Sequence, residues 1–324
     1  MILITGGAGY IGSHINKQLN KQGYDTIVID NLVYGHKEAV KWGAFIEGDL
    51  SNLELLNNVF SENKIDTVFH MAAFAYVGES VLHPAKYYRN NVVCSVNLLD
   101  TMLKHNVKKI VFSSTCATYG APSKVPITED MPQNPINPYG ASKLMIERIL
   151  KDYETAYGIR HAALRYFNAA GADPDCEIGE SHTPETHLIP LILAAAAGDN
   201  PCIEVYGADY QTHDGSCIRD YIHVTDLADA HVRAMDYINA NEISLQVNLG
   251  NAKGYSVIEV IDAAKSVTGH DFHVKFKPRR EGDPPELVGS RDKAMGLLGW
   301  KPQYDKIHET IKHAWSWYKK PGRY

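Results

Sequence analysis

Cysteine is scarce in this sequence of 324 residues, and its five cysteines include no C-x-x-C pair. An odd number of scattered cysteines does not fit a disulfide framework and is typical of reduced thiols. We therefore expect a cytoplasmic protein without disulfides. The five are Cys94, Cys116, Cys176, Cys202 and Cys217.

A strong net charge and a long hydrophobic run are also missing. The net charge is −6 and no Lys/Arg tract stands out, so we expect neither nucleic acid nor a membrane surface as a partner. The longest apolar stretch, Leu188 to Ala197, is too short to span a membrane and predicts a buried helix. Because the first predicted strand begins at Met1, we expect no signal peptide.

Metal-binding motifs are missing as well. The chain has fifteen histidines, but it contains no H-E-x-x-H motif and no Cys/His cluster, so we expect no metal. The apolar content of 44% and the charged content of 22% are those of an ordinary globular protein. The length suits one large α/β domain or up to two domains.

What the chain does contain is a glycine-rich turn between a strand and a helix. The apolar run Met1–Ile4 predicts the strand, and apolar residues at helical spacing predict a helix over Tyr10–Lys21. Such a turn lets backbone amides approach a phosphate at the helix N-terminus. Asp30 follows the next apolar run, where a carboxylate binds the adenosine ribose diol, so the sequence predicts NAD and disfavours NADP. The glycines, spaced G-x-x-G-x-x-G, are Gly6, Gly9 and Gly12.

Predicted strands and helices alternate through the first half of the chain. This alternation predicts an α/β fold with a doubly wound parallel sheet of the Rossmann type, whose ligands lie outside the carboxyl ends of the strands. The further strands are predicted near Thr26–Ile29, Phe45–Ile46, Thr67–Phe69, Ile110–Phe112 and Ala162–Leu164, and the helices over Leu53–Ser61, Ala85–His105 and Tyr139–Tyr157.

After about Phe167 the pattern changes to loops rich in Gly, Pro, Asp and His, with fewer strands and several short helices. We expect an NAD-binding domain over residues 1–167 and a second, smaller α/β substrate domain over residues 168–223 and 251–324. Residues from about 224 to 250 are predicted to return to the first sheet, which makes the boundary discontinuous. The last four residues, 321–324, are expected to be frayed.

Tyr139 and Lys143 form a Y-x-x-x-K pair at the start of a predicted helix. Residues four apart share a helix face, so an ammonium beside a phenol favours its ionised form. Lowering a tyrosine pKa from about 10 to near 7 takes about 4 kcal/mol, which the ammonium and an oxidised nicotinamide are expected to supply. Such a pair is common on exposed helices, but the hydroxyls of residues 113–115 and the glycine turn favour a role in proton transfer.

These features are shared with a known family. The chain resembles the extended short-chain dehydrogenase/reductase family, and within it the enzymes that epimerise UDP-hexoses at C4, over essentially its whole length. The matching segments are 6–14 (GGAGYIGSH), 30–32 (DNL), 48–50 (GDL), 77–80 (VGES), 90–92 (NNV), 112–115 (FSST), 137–143 (NPYGASK), 165–168 (RYFN), 219–224 (RDYIHV) and 279–283 (RREGD).

The resemblance implies reversible epimerisation at C4 of a UDP-hexose, from UDP-galactose to UDP-glucose, with NAD as the cofactor. Bound NAD takes a hydride from C4 while Tyr139 removes the 4-hydroxyl proton, and the hydride returns to the other face of the transient 4-keto sugar. Thr115 is expected to bond the same oxygen and orient it. The catalytic residues implied are Tyr139, Lys143 and Thr115.

The resemblance also implies binding residues. Two arginines suit a diphosphate, because guanidinium groups pair with phosphate oxygens at fixed geometry. The residues alone allow other roles: an ion pair of Arg219 with Asp220, a turn at Asn168 and a core aromatic at Tyr206. The cofactor residues implied are Gly6, Gly9, Tyr10, Ile11, Gly12, Asp30, Asn31, Asp49, Leu50, Met71, Ala72, Ala73, Asn90, Ser113, Tyr139, Lys143 and Phe167. The substrate residues implied are Thr115, Tyr139, Asn168, His187, Leu188, Tyr206, Arg219, Arg280, Asp283 and Leu287.

The chain departs from the family pattern at three points. The loop 73–76 (AFAY) lacks a lysine that some members have near a cofactor phosphate, which predicts looser cofactor binding. His187 stands where Asn is often found in the sugar site. Leu287 stands where some members have a bulky Tyr beside the sugar 2-substituent. The roomier pocket predicts that UDP-N-acetylhexosamines are also substrates.

Three other functions are alternatives for a chain with these features. A sugar-nucleotide 4,6-dehydratase needs an acid and a base after Thr115, where this chain has Cys116 and Ala117. A UDP-pentose 4-epimerase stays open, and so does a non-catalytic NAD-sensing protein, although the latter has no use for a complete catalytic set. The resemblance also implies a homodimer that pairs through the Tyr139 helix and the predicted helix over Ala85–His105.

Overall fold

A computed structural model describes residues 1–280 and 283–324. Glu281 and Gly282 of the matching segment 279–283 lie outside the described residues. The strands are β1 (Ile2–Thr5), β2 (Thr26–Asp30), β3 (Ala44–Glu47), β4 (Thr67–His70), β5 (Lys109–Thr115), β6 (Arg160–Tyr166), β7 (Asn168–Ala170), β8 (Ile203–Tyr206), β9 (Ile218–Arg219), β10 (Tyr221–His223), β11 (Leu245–Leu249), β12 (Tyr255–Ser256), β13 (Val274–Lys277) and β14 (Glu286–Leu287). The helices are α1 (Tyr10–Lys21), α2 (Leu53–Glu62), α3 (Val77–Leu82), α4 (Pro84–Tyr87), α5 (Cys94–Lys104), α6 (Pro138–Tyr157), α7 (Leu188–Ala197), α8 (Val224–Asn241), α9 (Val257–Thr268), α10 (Asp292–Leu298) and α11 (Ile307–Tyr318).

Seven parallel strands form the central sheet, in the order β3-β2-β1-β4-β5-β6-β11. The strand order reverses between β1 and β4, and open α/β sheets bind their ligands at such a point. Every residue of β1, β2 and β4 is buried, because helices cover both faces of a parallel sheet. The predicted doubly wound α/β fold is confirmed. Across the described ranges, no helix is both long and apolar enough to cross a membrane.

The helix predicted over Ala85–His105 is interrupted. A π-helical turn over Tyr88–Val93 separates α4 from α5, and the unpredicted α3 precedes them. Within this turn the buried Asn91 accepts a bond from the Phe74 nitrogen at 2.9 Å and donates to the Phe74 carbonyl oxygen at 3.0 Å. It also donates to the Ser142 hydroxyl at 3.0 Å. The π turn therefore ties the loop after β4 to α6, and such turns occur often at functional sites.

The second half of the chain contributes to the core around the central sheet and also forms a core of its own. α8 packs on α1, β5 and β6, and β11 pairs with β6 at one edge of the sheet. Three small sheets, β7-β10, β8-β13 and β12-β9-β14, lie beyond it. They share a separate core with α7, α9 and α11. With twelve residues each, α9 and α11 are longer than the short helices that we expected. Trp300 packs with α8 in the first core, and the domain boundaries stay a prediction.

The end of the chain is docked, which corrects the expectation of a frayed terminus. The Tyr324 ring lies 4.9 Å from His36 and 5.0 Å from Trp317, measured between centroids. Its hydroxyl accepts a bond from the Gly179 nitrogen at 3.2 Å, and its carbonyl oxygen accepts one from the Ser181 hydroxyl at 2.6 Å. Aromatic contacts made far along the chain hold these last residues, and local composition does not reveal them.

Candidate active site

The glycine turn packs against its neighbours too closely for larger residues. Gly6 has a φ of +73°, and a Cβ there would lie 2.5 Å from the Ala72 nitrogen. A Cβ on Gly12 would overlap the Gly6 carbonyl oxygen. The turn and the first residues of α1, Tyr10 and Ile11, line a cavity of about 1260 Å³. At its glycines the turn therefore presents backbone and no side chain beside the helix N-terminus, which suits a phosphate.

Polar side chains at the ends of β2 and β3 line the same cavity. The Asp30 carboxylate accepts bonds from the Ala8 nitrogen at 3.0 Å and the Leu32 nitrogen at 2.9 Å. Burial raises the pKa of Asp30, and these two bonds lower it in part. Asn31 donates to Asp49 at 2.6 Å. Carboxylate oxygens at this edge fit a ribose diol, which donates through its hydroxyls.

Tyr139, Lys143 and Glu147 stand at intervals of four residues on α6. The helix begins at Pro138, whose missing N–H costs nothing there, and Asn137 caps it by accepting from the Gly140 nitrogen at 2.8 Å. Equal spacing directs the three side chains to one face, toward β5 and β6. The order of the stripe is therefore phenol, ammonium and carboxylate.

The contacts of this stripe are buried. Lys143 Nζ donates to the Ser113 carbonyl oxygen at 2.7 Å and lies 4.9 Å from the Phe112 ring centroid. Glu147 pairs with Arg165 of β6, and both side chains are at most 3% exposed. The β5–β6 register sets Ser114 opposite Arg165 and Thr115 opposite Tyr166. Ser113 and Tyr166 join their hydroxyls in a hydrogen bond at the floor of the cavity.

Burial shifts both pKa values of the Y-x-x-x-K pair. Burial raises the pKa of Tyr139, Tyr166 adds to the increase, and a hydrogen bond with Thr115 offsets only part of it. Burial lowers the pKa of Lys143 to about 7, although the Glu147 charge opposes this. The protein residues alone therefore do not lower the phenol pKa. The expectation above also relies on the charge of the oxidised nicotinamide, so the lowering of the phenol pKa in the loaded enzyme stays a prediction.

The structure brings most of the predicted site residues together. Every residue predicted for the cofactor lines the large cavity, and so do the three predicted catalytic residues. Leu188 and Tyr206 do not, and they line an adjoining cavity of about 390 Å³. Asn168, His187, Arg219, Arg280 and Asp283 line both cavities, and Leu287 lines the large one. The roles of these residues stay predictions.

The two arginines stand where the cavities meet. Arg219 pairs with Asp283 and not with Asp220. The buried Asp220 carboxylate instead accepts bonds from the Asn251 nitrogen at 3.0 Å and the Gly289 nitrogen at 3.1 Å. The Arg280 guanidinium lies 4.1 Å from the Tyr206 ring centroid. Two guanidinium groups beside a shared opening fit a diphosphate.

Residues of the segment 180–187 line both cavities. His36 bonds the Ser181 carbonyl oxygen at 2.9 Å, and the Tyr76 hydroxyl donates to the Pro184 carbonyl oxygen at 3.0 Å. Four side chains of this segment form a cluster in which the atoms able to ligate a metal lie within 4.8 Å of one another: Glu180, His182, Glu185 and His187. We call it the Glu/His cluster. Two imidazoles face two carboxylates in it, so protonated rings balance the charge without a cation.

A second acidic group contains Asp173, Asp175 and Glu177. Lys17 Nζ already lies 2.7 to 2.9 Å from all three carboxylates. An ammonium therefore supplies the charge that a metal ion would bring there. The expectation that the protein holds no metal stays a prediction.

Several residues of the site escaped sequence reasoning. Tyr34 lines the large cavity with Phe74 and Tyr76, and their ring centroids lie 5.5 and 5.0 Å from its own. Lys86 Nζ lies 4.3 Å from the Phe74 centroid and donates to Glu79 at 2.6 Å. A lysine therefore lies close to the loop that lacks one, with its charge paired. Glu147 was not predicted, although its spacing of four residues from Lys143 could have indicated it, and nothing local in the sequence indicates the Glu/His cluster.

Comparison with known proteins adds to this geometry. The sequence model of the family described as "NAD dependent epimerase/dehydratase family" matches residues 2–250. The UDP-glucose 4-epimerase of Halalkalibacterium halodurans is 52% identical over 318 residues, which cover 98% of this chain and 95% of that protein. The crystal structure of UDP-glucose 4-epimerase from Brucella ovis in complex with NAD has a TM-score of 0.95 and 50% identity, and covers 97% of both chains. The structure from Bifidobacterium longum in complex with NAD+ and UDP has a TM-score of 0.94 and 40% identity, over 100% of this chain and 99% of that one.

Proposed function

The chain belongs to the NAD dependent epimerase/dehydratase family, and on that premise we propose that it interconverts UDP-galactose and UDP-glucose at C4. It is an isomerase that uses NAD. One observation carries the proposal: Thr115, Tyr139 and Lys143 line the same cavity as the glycine turn. Relatives that share about half of its residues bear the name UDP-glucose 4-epimerase, which supports the same reaction.

The residues of the large cavity fit NAD. The bare turn at Gly6 and Gly12, where a Cβ would meet backbone atoms, suits a pyrophosphate, and Asp30 suits the adenosine ribose. NAD, when bound, accepts a hydride from C4 and returns it, and its oxidised ring brings a positive charge to the cavity. The cofactor residues predicted from the sequence are proposed for this role.

Protein groups handle the proton and the orientation of the sugar. We propose that Tyr139 takes the proton of the 4-hydroxyl and gives it back, and that Thr115 holds the same oxygen in line. Lys143, buried on the Ser113 carbonyl oxygen, stabilises the phenolate once the proton has moved. Arg219 and Arg280 are proposed to bind the diphosphate of the substrate.

Tyr139→Phe tests this assignment. We expect turnover of UDP-galactose, followed by NMR, to fall about 10²- to 10⁴-fold, because general acid–base catalysis contributes about that much. Tyr153→Phe is the matched control on the same helix, since the Tyr153 hydroxyl bonds Asp100 outside the cavity at 2.7 Å. Undiminished turnover in Tyr139→Phe would refute the assignment. No turnover of any nucleotide sugar by the wild type would instead favour a non-catalytic NAD-sensing protein.

A second candidate activity is the epimerisation of UDP-N-acetylhexosamines. Leu287 lines the large cavity at a position where some family members carry a bulky Tyr, and a smaller side chain leaves room for a 2-acetamido group. We expect turnover of UDP-N-acetylgalactosamine to be comparable to that of UDP-galactose. NMR assays in parallel, with UDP-arabinose as a third substrate, decide between the hexose, N-acetylhexosamine and pentose alternatives.

We also propose a homodimer in the cytoplasm. Exposed apolar side chains on and beside α3, α5 and α6 support pairing through this face: Val81, Leu82, Val93 and Met145. The five free cysteines support a reducing compartment. Light scattering on the wild type is expected to give twice the mass of one chain, and Met145→Glu is expected to lower it by placing charge in an apolar contact.

A further inference from the structure

Glu180 is a buried carboxylate at the junction of the two cavities. Its side chain is 7% exposed, and it lines both cavities. One carboxylate oxygen lies 2.8 Å from His187 Nδ1 and 3.2 Å from His182 Nδ1. A carboxylate is costly to bury without a charged or donating partner. Glu180 therefore depends on these imidazole rings.

The backbone at Glu180 is held from both sides. Its carbonyl oxygen accepts a bond from Trp317 Nε1 at 3.0 Å, and the next carbonyl oxygen, that of Ser181, is bonded by His36 at 2.9 Å. Glu185 also approaches His187 Nδ1, at 3.0 Å. Two carboxylates thus fix one edge of the His187 ring, so the ring is oriented before any ligand arrives.

The opposite edge of His187 is open. The side chain is 47% exposed and lines both cavities, as do Arg219 and Arg280. Within residues 1–280 and 283–324, no protein group forms a hydrogen bond with Nε2. Because Nδ1 faces two carboxylates, it carries a proton. A neutral ring would then present Nε2 as an acceptor, which repels a phosphate oxygen, whereas a protonated ring presents a donor.

We propose that Glu180 is a positioning residue that keeps His187 as an imidazolium whose Nε2–H binds an anionic oxygen of the substrate's diphosphate. This inference rests on the proposed UDP-sugar function and deepens it. His187 then acts as a third cation beside Arg219 and Arg280. A charge-assisted donor is stronger than a neutral one.

The surrounding charges agree with this assignment. Burial lowers the pKa of His187, but Glu180 and Glu185 outweigh it and raise the pKa to about 10. His182 opposes this increase, and so does the N-terminus of α7, which begins at the next residue. The other titratable ring nearby is Tyr76, at 6.5 Å between centroids. It stays neutral, since burial raises its pKa to about 12.

The test is the pH dependence of UDP binding to the NAD-loaded enzyme, measured by calorimetry from pH 6 to pH 9. In Glu180→Gln the pKa of His187 falls toward 6.5. The ratio of the variant's Kd for UDP to the wild-type Kd is therefore expected to rise about tenfold between pH 6 and pH 9. That factor corresponds to about 1.4 kcal/mol. Taking the ratio at each pH cancels the titration of the phosphate itself.

His187→Asn and the double variant separate this role from a structural one. His187→Asn is expected to weaken UDP by a factor that does not change with pH, and Glu180→Gln/His187→Asn is expected to match it. The control is His213→Asn, an exposed histidine 3.5 Å from Glu259 and 3.7 Å from Asp214, outside both cavities; it is expected to bind UDP like the wild type.

Two results would overturn the inference. One is a ratio of the Glu180→Gln Kd to the wild-type Kd that stays constant with pH. The other is a pH-dependent loss of UDP affinity in Glu180→Gln that disappears when His182→Asn, rather than His187→Asn, is added to it. Turnover of UDP-galactose by the wild type is measured in parallel. If the wild type turns over no UDP-sugar, the proposed function fails, whereas a constant ratio in an active enzyme removes only the role of Glu180.

Discussion

Glu147→Gln is expected to destabilise the protein strongly, because it leaves the buried Arg165 guanidinium without its carboxylate. Arg165 Nε donates to one Glu147 oxygen at 2.9 Å and Nη2 donates to the other at 2.6 Å. The same carboxylate accepts from Ser114 at 2.5 Å and from Gln133 at 3.2 Å. Glutamine keeps the shape but turns one acceptor into a donor that faces another donor. The substitution therefore removes the negative charge of the pair and leaves the buried positive charge of Arg165.

The magnitude follows from the burial of both partners. Removing one member of a buried ion pair costs about 3–5 kcal/mol, which is a large part of a typical unfolding free energy of about 5–15 kcal/mol. The change also reaches the proposed catalytic pair, because the Glu147 charge is what opposes the lowering of the Lys143 pKa. In Glu147→Gln the pKa of Lys143 is therefore expected to fall further. Lys143 then loses its proton at a lower pH, so any turnover that needs the ammonium falls off at a lower pH.

The assay is urea unfolding followed by far-UV circular dichroism, together with turnover measured against pH. Asp152→Asn is the matched control, because Asp152 pairs with Arg148 on the same helix but both side chains are well exposed, and it is expected to leave stability unchanged. Glu147→Leu/Arg165→Met should cost less than the sum of the single variants. An unfolding free energy of Glu147→Gln within about 1 kcal/mol of the wild type would refute the reasoning about this pair.

Three further predictions concern stability. The stability lost in His182→Asn should be greatest below pH about 6.5 and should vanish as the pH rises through about 9, because Glu180 and Glu185 raise the pKa of His182 to about 9 despite its burial; melting temperatures against pH check this. Gly12→Ala should lower the melting temperature of the protein without NAD, whereas Gly9→Ala should not, because a Cβ on Gly9 meets only the Gly6 carbonyl oxygen at 3.4 Å. Asn91→Ala should cost about 3 kcal/mol in urea unfolding, since it removes two hydrogen bonds to the Phe74 backbone and one to Ser142, and Asn97→Ala, which breaks one bond of 3.2 Å to the Leu50 carbonyl oxygen, should cost about 1 kcal/mol. Equal losses of stability in Gly12→Ala and Gly9→Ala, or in Asn91→Ala and Asn97→Ala, would contradict the contacts on which that prediction depends.

Much of the nucleotide half of the site was predictable because its information is local. The glycine turn, Asp30 and the Tyr139–Lys143 pair each depend on spacing within one strand, turn or helix. The period of a helix or the position of a strand end then sets where the side chains point. Parallel strands carry these ends to one edge, so the predicted cofactor residues converge on one cavity.

The rest depends on contacts between distant parts of the chain. The Glu147–Arg165 pair follows from how α6 lies on β6, and the hydrogen bond between Ser113 and Tyr166 follows from the β5–β6 register. Glu180 reaches the cavity only because residues 180–187 are bonded by His36, by Tyr76 and by residues near the end of the chain. Such packing is a property of the assembled molecule, and no periodicity announces it.

Amino-acid spacing was enough to establish the class of fold, and it singled out the glycine turn and the Tyr139–Lys143 pair, whose proposed roles stay predictions. The folded chain decided how those groups behave: burial raises the pKa of Tyr139 and lowers that of Lys143, and the charges of Glu180 and Glu185 raise that of His187. The physical reason is that a pKa depends on desolvation and on neighbouring charges. Both are created when remote segments come together.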